Sequence, residues 1–253
     1  MNPPSRGLPI LTPLVLVLIG VQALMDLVLL AATVALYVAE HAAGATDESV
    51  IPFGLALFGA AMLNLLVLIA GGITFLVWTY WAATNVRGLG AQGLKITPGW
   101  AVGWYFVPFA NLVMPHNALQ EVAKSSVAPL PGAQGPPWKL ITTWWVLRLV
   151  VGFGGGVSGQ FETNPGFQDV PPEIVLAIDV VLSVLGLIVL GLAAWIVRSI
   201  DAAQQASYDT GAWQNLPYQQ ATEPMYGKNP YAVGEKPYTV TGDVNNPYRS
   251  PGT

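Results

Sequence analysis

The amino-acid sequence predicts an all-α integral membrane protein: four transmembrane helices, one re-entrant or interfacial broken helix, and a disordered tail. Of its 253 residues, 53% are apolar and only 9% are charged, whereas about a quarter of an average soluble domain is charged. The charges are also confined, because four long apolar stretches hold only three of the 10 basic and 14 acidic residues. A soluble domain could not hydrate its surface with so few charges.

The predicted spans follow the order of these apolar stretches, each near the roughly 20 residues needed to cross a bilayer. A short N-terminus of residues 1–9 precedes the first. Its apolar run continues far beyond the roughly 7–15 residues of a secretory signal segment, so we expect a retained span. Glycines close the third stretch and predict helix contact through small residues. The predicted membrane domain covers residues 10–200, with spans at about 10–39, 51–83, 139–158 and 173–198.

Residues 99–115 are apolar and aromatic, but Gly103, Pro108 and Asn111 interrupt them. The segment either spans the bilayer as a short broken helix or enters it and returns on the same side. Charge bias favours the return, because short loops rich in Lys and Arg stay in the cytoplasm. Only a returning segment keeps the basic connector that follows it on the cytoplasmic side.

The same bias predicts the orientation of the whole chain. Arg87 and Lys95 place the loop 84–98 in the cytoplasm, and the acidic loop 40–50 lies outside. We therefore expect several crossings of the membrane and both termini in the cytoplasm. This topology also gathers six tryptophans at the cytoplasmic interface, where amphipathic rings are favoured. They are Trp78, Trp81, Trp138, Trp144, Trp145 and Trp195.

The tail, residues 201–253, differs in composition from the rest of the chain. It holds six of the nine tyrosines and few aliphatic residues. Such a segment cannot bury enough apolar surface to offset its ordering, so we expect it to be disordered in the cytoplasm. Its repeated Pro-Tyr pairs could dock a protein partner. These pairs stand at 217–218, 230–231, 237–238 and 247–248.

The three charges inside the spans, Asp26, Arg148 and Asp179, are candidates for function because a charge at membrane depth is costly unless it is paired. Their positions predict a cluster that joins the first, third and fourth spanning helices. A structural clasp between the three is the favoured interpretation. A proton or ion relay is the alternative.

Several functions are disfavoured by what the sequence lacks. It has no cysteine, which excludes disulfides, iron–sulfur clusters and a thiol nucleophile, and its two histidines offer little for a metal site. A net charge of −4 gives no basic footprint for nucleic acid. No catalytic arrangement can be defended either. We therefore expect a non-enzymatic protein without cofactor or metal, whose partners are the lipid bilayer and other proteins.

Residues 78–121 carry the most concentrated motif of the chain. Its core is the run from Thr97 to Leu112, which begins Thr-Pro-Gly-Trp-Ala-Val-Gly-Trp, and it resembles the bacterial membrane-protein family called domain of unknown function 4328. The resemblance covers roughly residues 10–200 and excludes the tail. The matching positions are Asn85, Arg87, Gly90, Pro98, Gly99, Trp100, Gly103, Trp104, Pro108, Asn111, Pro115 and Glu121.

The resemblance implies a protein of the cell (inner) membrane of a bacterium but no activity. This chain departs from it at Trp81 and Thr84, where members tend to have arginines, which weakens any role of those arginines here. The broken segment is expected to pack against the bundle, because irregular backbone at membrane depth must be covered by protein or water. It acts as a rigid interfacial plug, or it lines a small cytoplasmic site with Trp100, Trp104, Asn111 and His116 around it.

Two functions follow from these features. The favoured hypothesis is a scaffold or accessory protein that acts through protein partners. The alternative is a small transporter or channel subunit that uses Asp26, Arg148 and Asp179. Because four spans are few for a monomeric transporter, the alternative requires a homo-oligomer.

Overall fold

A computed structural model of the chain describes residues 7–42, 46–91, 93–127, 136–164, 166 and 170–210. These residues form helices and contain no strand. Two short 3₁₀ helices, Trp104–Phe106 and Ala110–Leu112, lie between the third and fourth α-helices. The α-helices are α1 (Leu8–Glu40), α2 (Asp47–Gly88), α3 (Pro98–Gly103), α4 (Met114–Val127), α5 (Trp138–Thr163) and α6 (Pro172–Asp209).

Four of the described helices, α1, α2, α5 and α6, are long and apolar enough to cross a membrane. Helix α1 contacts both α2 and α6, and α5 contacts α6. Most side chains of their apolar windows face outward rather than into the protein, as expected where lipid rather than water surrounds a helix. The predicted fold class, an all-α membrane protein with four such helices, is confirmed.

Helix α2 ends in a glycine-dependent turn that leads into the broken segment. The N–H of Gly90 donates to the carbonyl of Arg87, and the N–H of Ala91 donates to the carbonyl of Val86, both at 3.0 Å. This is the Schellman pattern, which requires a left-handed residue after the helix. Gly90 fills that position with φ 81°, a conformation that other residues rarely adopt.

The segment 98–127 folds back on itself instead of crossing the bundle. The backbone N–H groups of Lys95 and Ile96, just before the segment, donate to the Glu121 carboxylate within α4 at 3.0–3.1 Å, so the chain returns close to where the segment begins. The break predicted within 99–115 is present, and between the two 3₁₀ helices Phe109 has a positive φ of 62°. The connector 116–139, for which no helix was predicted, contains most of α4.

The predicted boundary of the tail is wrong for its first residues. Helix α6 continues to Asp209, because Gln204 and Ser207 are buried on one face of the extension. The Gln204 amide donates to the carbonyl of Ala82 on α2 and to the hydroxyl of Ser126 on α4. The predicted disorder and partner site of residues 211–253 lie outside the described residues.

The described core lies at one end of the bundle, which we call the packed end. There α4 packs against α2, α5 and α6, and Trp78, Trp144 and Trp145 are at most 4% exposed. These three tryptophans are therefore covered by protein, whereas Trp138 and Trp195 are exposed. Their place at the cytoplasmic interface stays a prediction. The packed end comprises residues 8–15, 78–89, 114–127, 141–145 and 193–207.

The other part of the bundle, which we call the open half, is packed loosely. Among its described residues the only buried side chains, Gln22 and Ser158, are both polar. Apolar side chains such as Leu66, which is 64% exposed, face outward. The open half comprises residues 22–40, 50–71, 148–163 and 172–190.

Candidate functional site

The motif residues Arg87 and Glu121 hold the same two-residue strap, Lys95 and Ile96, from opposite sides. Glu121 accepts from both backbone N–H groups of the strap. Arg87 donates to the carbonyl of Ile96 at 2.5 Å and to the carbonyl of Ala83 at 3.0 Å. A carboxylate suits amide donors and a guanidinium suits carbonyl acceptors, so this pair of motif residues fixes the entry of the broken segment.

The next motif residues build α3. The Thr97 side chain accepts from the Trp100 N–H and caps the helix. Pro98 occupies the first helical position, where its missing N–H costs nothing. Trp100 and Trp104 stack with ring centroids 4.5 Å apart. Motif residue Gly99 follows Pro98 in α3.

Gly103 is required by the same ring stack, because a Cβ there would lie 3.2 Å from the Trp100 ring. Further along, the Asn111 N–H donates to the carbonyl of Val107 across the turn at Pro108. Trp145 of α5 anchors this turn by donating from Nε1 to the carbonyl of Leu112 at 2.7 Å.

The remaining motif residues lie in the helices. Asn85 of α2 is buried at the packed end, and Pro115 is buried in the first turn of α4. Together with the strap and the turn, they show that the motif residues build and anchor the broken segment.

A pocket of about 380 Å³ beside α3 tests the hypothesis of a small site at the broken segment. Trp100 and Trp104 line it together with Glu121, but Asn111 and His116 do not. His116 instead contacts Thr142 of α5, with Nε2 3.0 Å from the hydroxyl oxygen. The structure therefore brings together only half of that set.

Asp26 of α1 is held by two amides in the open half. Gln22, one helical turn earlier, and Asn64 of α2 each donate to its Oδ1 at 2.8 Å. Gln22 also lies 3.3 Å from Asn64 Oδ1. Sequence reasoning missed Asn64, although it is the only amide side chain in the predicted span 51–83.

The other two intramembrane charges also have neutral partners. Asp179 of α6 accepts a short hydrogen bond from the hydroxyl of Ser158 on α5. The Arg148 guanidinium lies over the ring of Trp145, 5.1 Å from its centroid, an arrangement that attracts a cation to the ring face.

The predicted clasp between the three charges is not formed. In the part of the chain that the structure describes, neither Asp26 nor Asp179 makes an ion pair with Arg148. The physical reason is that hydroxyl and amide groups within reach of each carboxylate already satisfy it. Counting residues along each helix predicted how deep the three charges lie in the membrane. It could not predict towards which neighbouring helix each charged side chain points.

The three charges instead line two adjoining cavities between the four long helices. The inner cavity, about 440 Å³, reaches towards the packed end and is lined by Asp26, Arg148 and both aromatic and aliphatic side chains. The outer cavity, about 370 Å³, lies in the open half and is lined by Asp26 and Asp179.

The two cavities share the lining residues Asp26, Val151 and Gly186 and therefore adjoin each other, and we call the pair the groove. From Val15 to Thr33, the groove follows α1 for about 27 Å at 1.5 Å per residue.

Close packing between α5 and α6 borders this groove. A Cβ at Gly154 of α5 would lie 2.6 Å from the Leu182 side chain of α6, so this glycine lets the two helices approach. Gly155 and Gly159, by contrast, line the outer cavity. The prediction that the glycine-rich end packs against a neighbour therefore holds for Gly154, and its neighbours leave room for the groove.

No metal centre is evident in the described ranges, since no three His, Asp or Glu side chains there are grouped closely enough to hold an ion. The arrangement of the described residues is that of an all-helical membrane protein with charged side chains along an internal groove.

Comparison with known proteins identifies the family. The family described as Domain of unknown function (DUF4328) matches residues 53–202, more than half of the chain, and the chain belongs to this family. The matched region contains Arg148 and Asp179, whereas Asp26 on α1 precedes it. No curated protein and no solved structure matches the chain.

Proposed function

We propose that the protein is a subunit of a small transporter or channel, and that its solute moves along the groove. One observation carries the proposal: all three intramembrane charges line a groove about 27 Å long. That length approaches the roughly 30 Å of hydrocarbon in a bilayer.

The placement of the charges supports transport over a purely structural role. Charged side chains that line a cavity inside a membrane protein are typical of substrate and ion pathways. A clasp would gain its stability from direct pairing of Arg148 with a carboxylate, and the hydrogen bonds of Asp26 and Asp179 go to neutral groups instead. The two carboxylates are therefore hydrogen-bonded but are not neutralised by an ion pair with Arg148.

In the proposed orientation, the packed end lies on the cytoplasmic side of the cell (inner) membrane. The start of α1 and the last turns of α6 line one pocket, so both ends of the described bundle lie on the same side. Basic side chains favour the cytoplasmic side, and the described packed end with its adjoining loops carries five of them, namely Arg87, Lys95, Lys124, Lys139 and Arg198.

Two expectations from the sequence remain part of the proposal. The function is non-enzymatic, and the small number of spanning helices calls for a homo-oligomer. The scaffold hypothesis depends on the Pro-Tyr tail, which lies outside the described residues, and it stays a prediction.

Cysteine accessibility tests the proposal, since the chain has no native cysteine. Thr33 and Ser183 line the outer cavity, and their neighbours Val34 and Val184 are exposed outside it. Single cysteines at these four positions would be reacted with a charged methanethiosulfonate in reconstituted vesicles. Because the reactive thiolate needs water, we expect the two groove positions to react at least about ten times faster than their neighbours.

Equal, slow reaction at all four positions would show that the groove holds no water, and the transport proposal would be rejected. Reaction at the groove positions that slows when Asp26→Asn is added would connect the charge to the hydrated pathway.

A further inference from the structure

Two residues that line the inner cavity carry buried hydrogen-bond donors without a partner in the described part of the chain. Trp144 is 4% exposed, and its Nε1 makes no hydrogen bond. The adjacent Trp145 differs, since its Nε1 donates to the Leu112 carbonyl. An indole N–H can only donate, and leaving such a group buried and unpaired costs about 1–3 kcal/mol.

Tyr105 adds a second donor to the same cavity. Its buried hydroxyl likewise has no hydrogen-bond partner among the described residues. Burial raises the pKa of Tyr105 to about 12, and the nearby Arg148 charge opposes that rise. The hydroxyl therefore keeps its proton at neutral pH and can donate it in a hydrogen bond.

Arg148 supplies the positive charge. It lines the inner cavity with Trp144 and Tyr105, and it is the only basic residue among the described side chains that do so. Three residues that carry hydrogen-bond donors thus line one cavity, and the complement of such a set is an anionic oxygen.

Apart from Asp26, Gln22 and Asn64, the rest of the cavity wall is mostly apolar. Leu18, Val67, Leu68 and Val189 line it, so an occupant that filled it would need an apolar body next to its polar group. The carboxylate of Asp26 also borders the cavity, and a ligand anion would be repelled by it.

We propose that the inner cavity binds an amphipathic anion, a carboxylate or phosphate headgroup on an apolar chain, through Trp144, Tyr105 and Arg148. This inference rests on the proposed function and names the class of solute. A fatty acid and a lipid phosphate share the required chemistry, and the experiment separates them.

Photo-crosslinking tests this proposal on the full chain in a non-ionic detergent. Three diazirine probes with the same alkyl chain would carry a carboxylate, a phosphate monoester or an alcohol. We expect at least one anionic probe to label cavity peptides and to bind at least about ten-fold more tightly than the alcohol, as a charge-assisted hydrogen bond implies. A preference for the carboxylate indicates a fatty acid, and a preference for the phosphate indicates a phospholipid-type headgroup.

Variants then assign the selectivity to residues. Arg148→Gln and Trp144→Phe should lower binding of the anionic probe towards that of the alcohol and leave the alcohol unchanged. Arg148→Lys keeps the charge and should retain part of the preference for the anionic probe. That result would show that the loss in Arg148→Gln does not come from a folding defect. The matched control Arg198→Gln removes an exposed basic residue outside the cavity and should bind like the wild type. Asp26→Asn removes the repulsion and should tighten anion binding several-fold.

Equal binding of the three probes, or selectivity that survives Arg148→Gln, would overturn the proposal. Competition by inorganic phosphate as strong as that by the alkyl probes would overturn the amphipathic requirement. The cysteine experiment separates the two proposals. Reactive groove cysteines without headgroup selectivity reject only the solute class, and selectivity with unreactive cysteines rejects transport but leaves a lipid-binding site.

Discussion

The packed end and the open half bury different kinds of side chain, although the same four helices run through both. At the packed end the described buried side chains are mostly large and apolar, and Trp78 is completely buried. In the open half the described buried side chains are polar, and a groove separates the helices. Burial of apolar side chains therefore stabilises the fold at one end, whereas at the other end charged side chains lie along a groove.

The sequence motif of residues 78–121 is joined to the first of these regions, where its residues Asn85, Arg87, Pro115 and Glu121 lie. Arg87 and Glu121 fix a strap, Gly90 ends α2, and Gly103 admits the Trp100 ring. Each of these residues positions backbone. We infer that the motif maintains the packed end, and that the chemistry of the protein lies with the charges along the groove.

Replacing Trp78 by Ala should have the largest effect on stability. The side chain is 0% exposed, and its Nε1 donates to the Thr12 hydroxyl at 3.0 Å. Removing a buried aromatic costs about 3–5 kcal/mol, which a denaturant titration in mixed micelles would measure. Leu66→Ala, at an outward-facing site of the open half, is the control and should cost far less. Comparable losses in the two variants would contradict the division into two regions.

Glu121→Ala should have an intermediate effect, because it removes a charged acceptor from two backbone amides. We expect a loss of about 1.5–3 kcal/mol and faster hydrogen exchange at Lys95 and Ile96. Lys124→Ala, an exposed residue of the same helix, should leave both quantities unchanged. Undiminished protection of the two amides in Glu121→Ala would show that the strap is held by other contacts.

The sequence was a good guide where one kind of residue dominates a segment. Long apolar runs were sufficient for α1, α2, α5 and α6, since crossing a bilayer demands them, and the break within 99–115 was visible in its glycine, proline and asparagine. Helix α4 and the end of α6 were missed because they mix polar and apolar residues. Gln204 and Ser126 become recognisable as core residues only beside each other.

For the candidate site, too, the sequence predicted the residues but not their contacts. Asp26, Arg148 and Asp179 stand out by composition alone, and the structure turns all three towards one groove. Their partners depend on the rotation of each helix about its axis, which an apolar helix of nearly uniform hydropathy does not specify. The sequence therefore predicted the charged residues but paired them with each other rather than with Asn64 and Ser158.

The smallest effect is expected from Asn64→Leu, which removes one of the two amide donors to Asp26. Gln22 still donates to the same oxygen at 2.8 Å, and hydrogen bonds between membrane helices average only about 0.6 kcal/mol. The same type of change at the packed end, Gln204→Leu, removes donors to Ala82 and Ser126 in a fully buried site and should cost about 1–3 kcal/mol. Unfolding both variants in the same micelles compares the regions directly. If Asn64→Leu proved the more costly, the polar residues of the open half would be structural, and the argument that they serve the groove would fail.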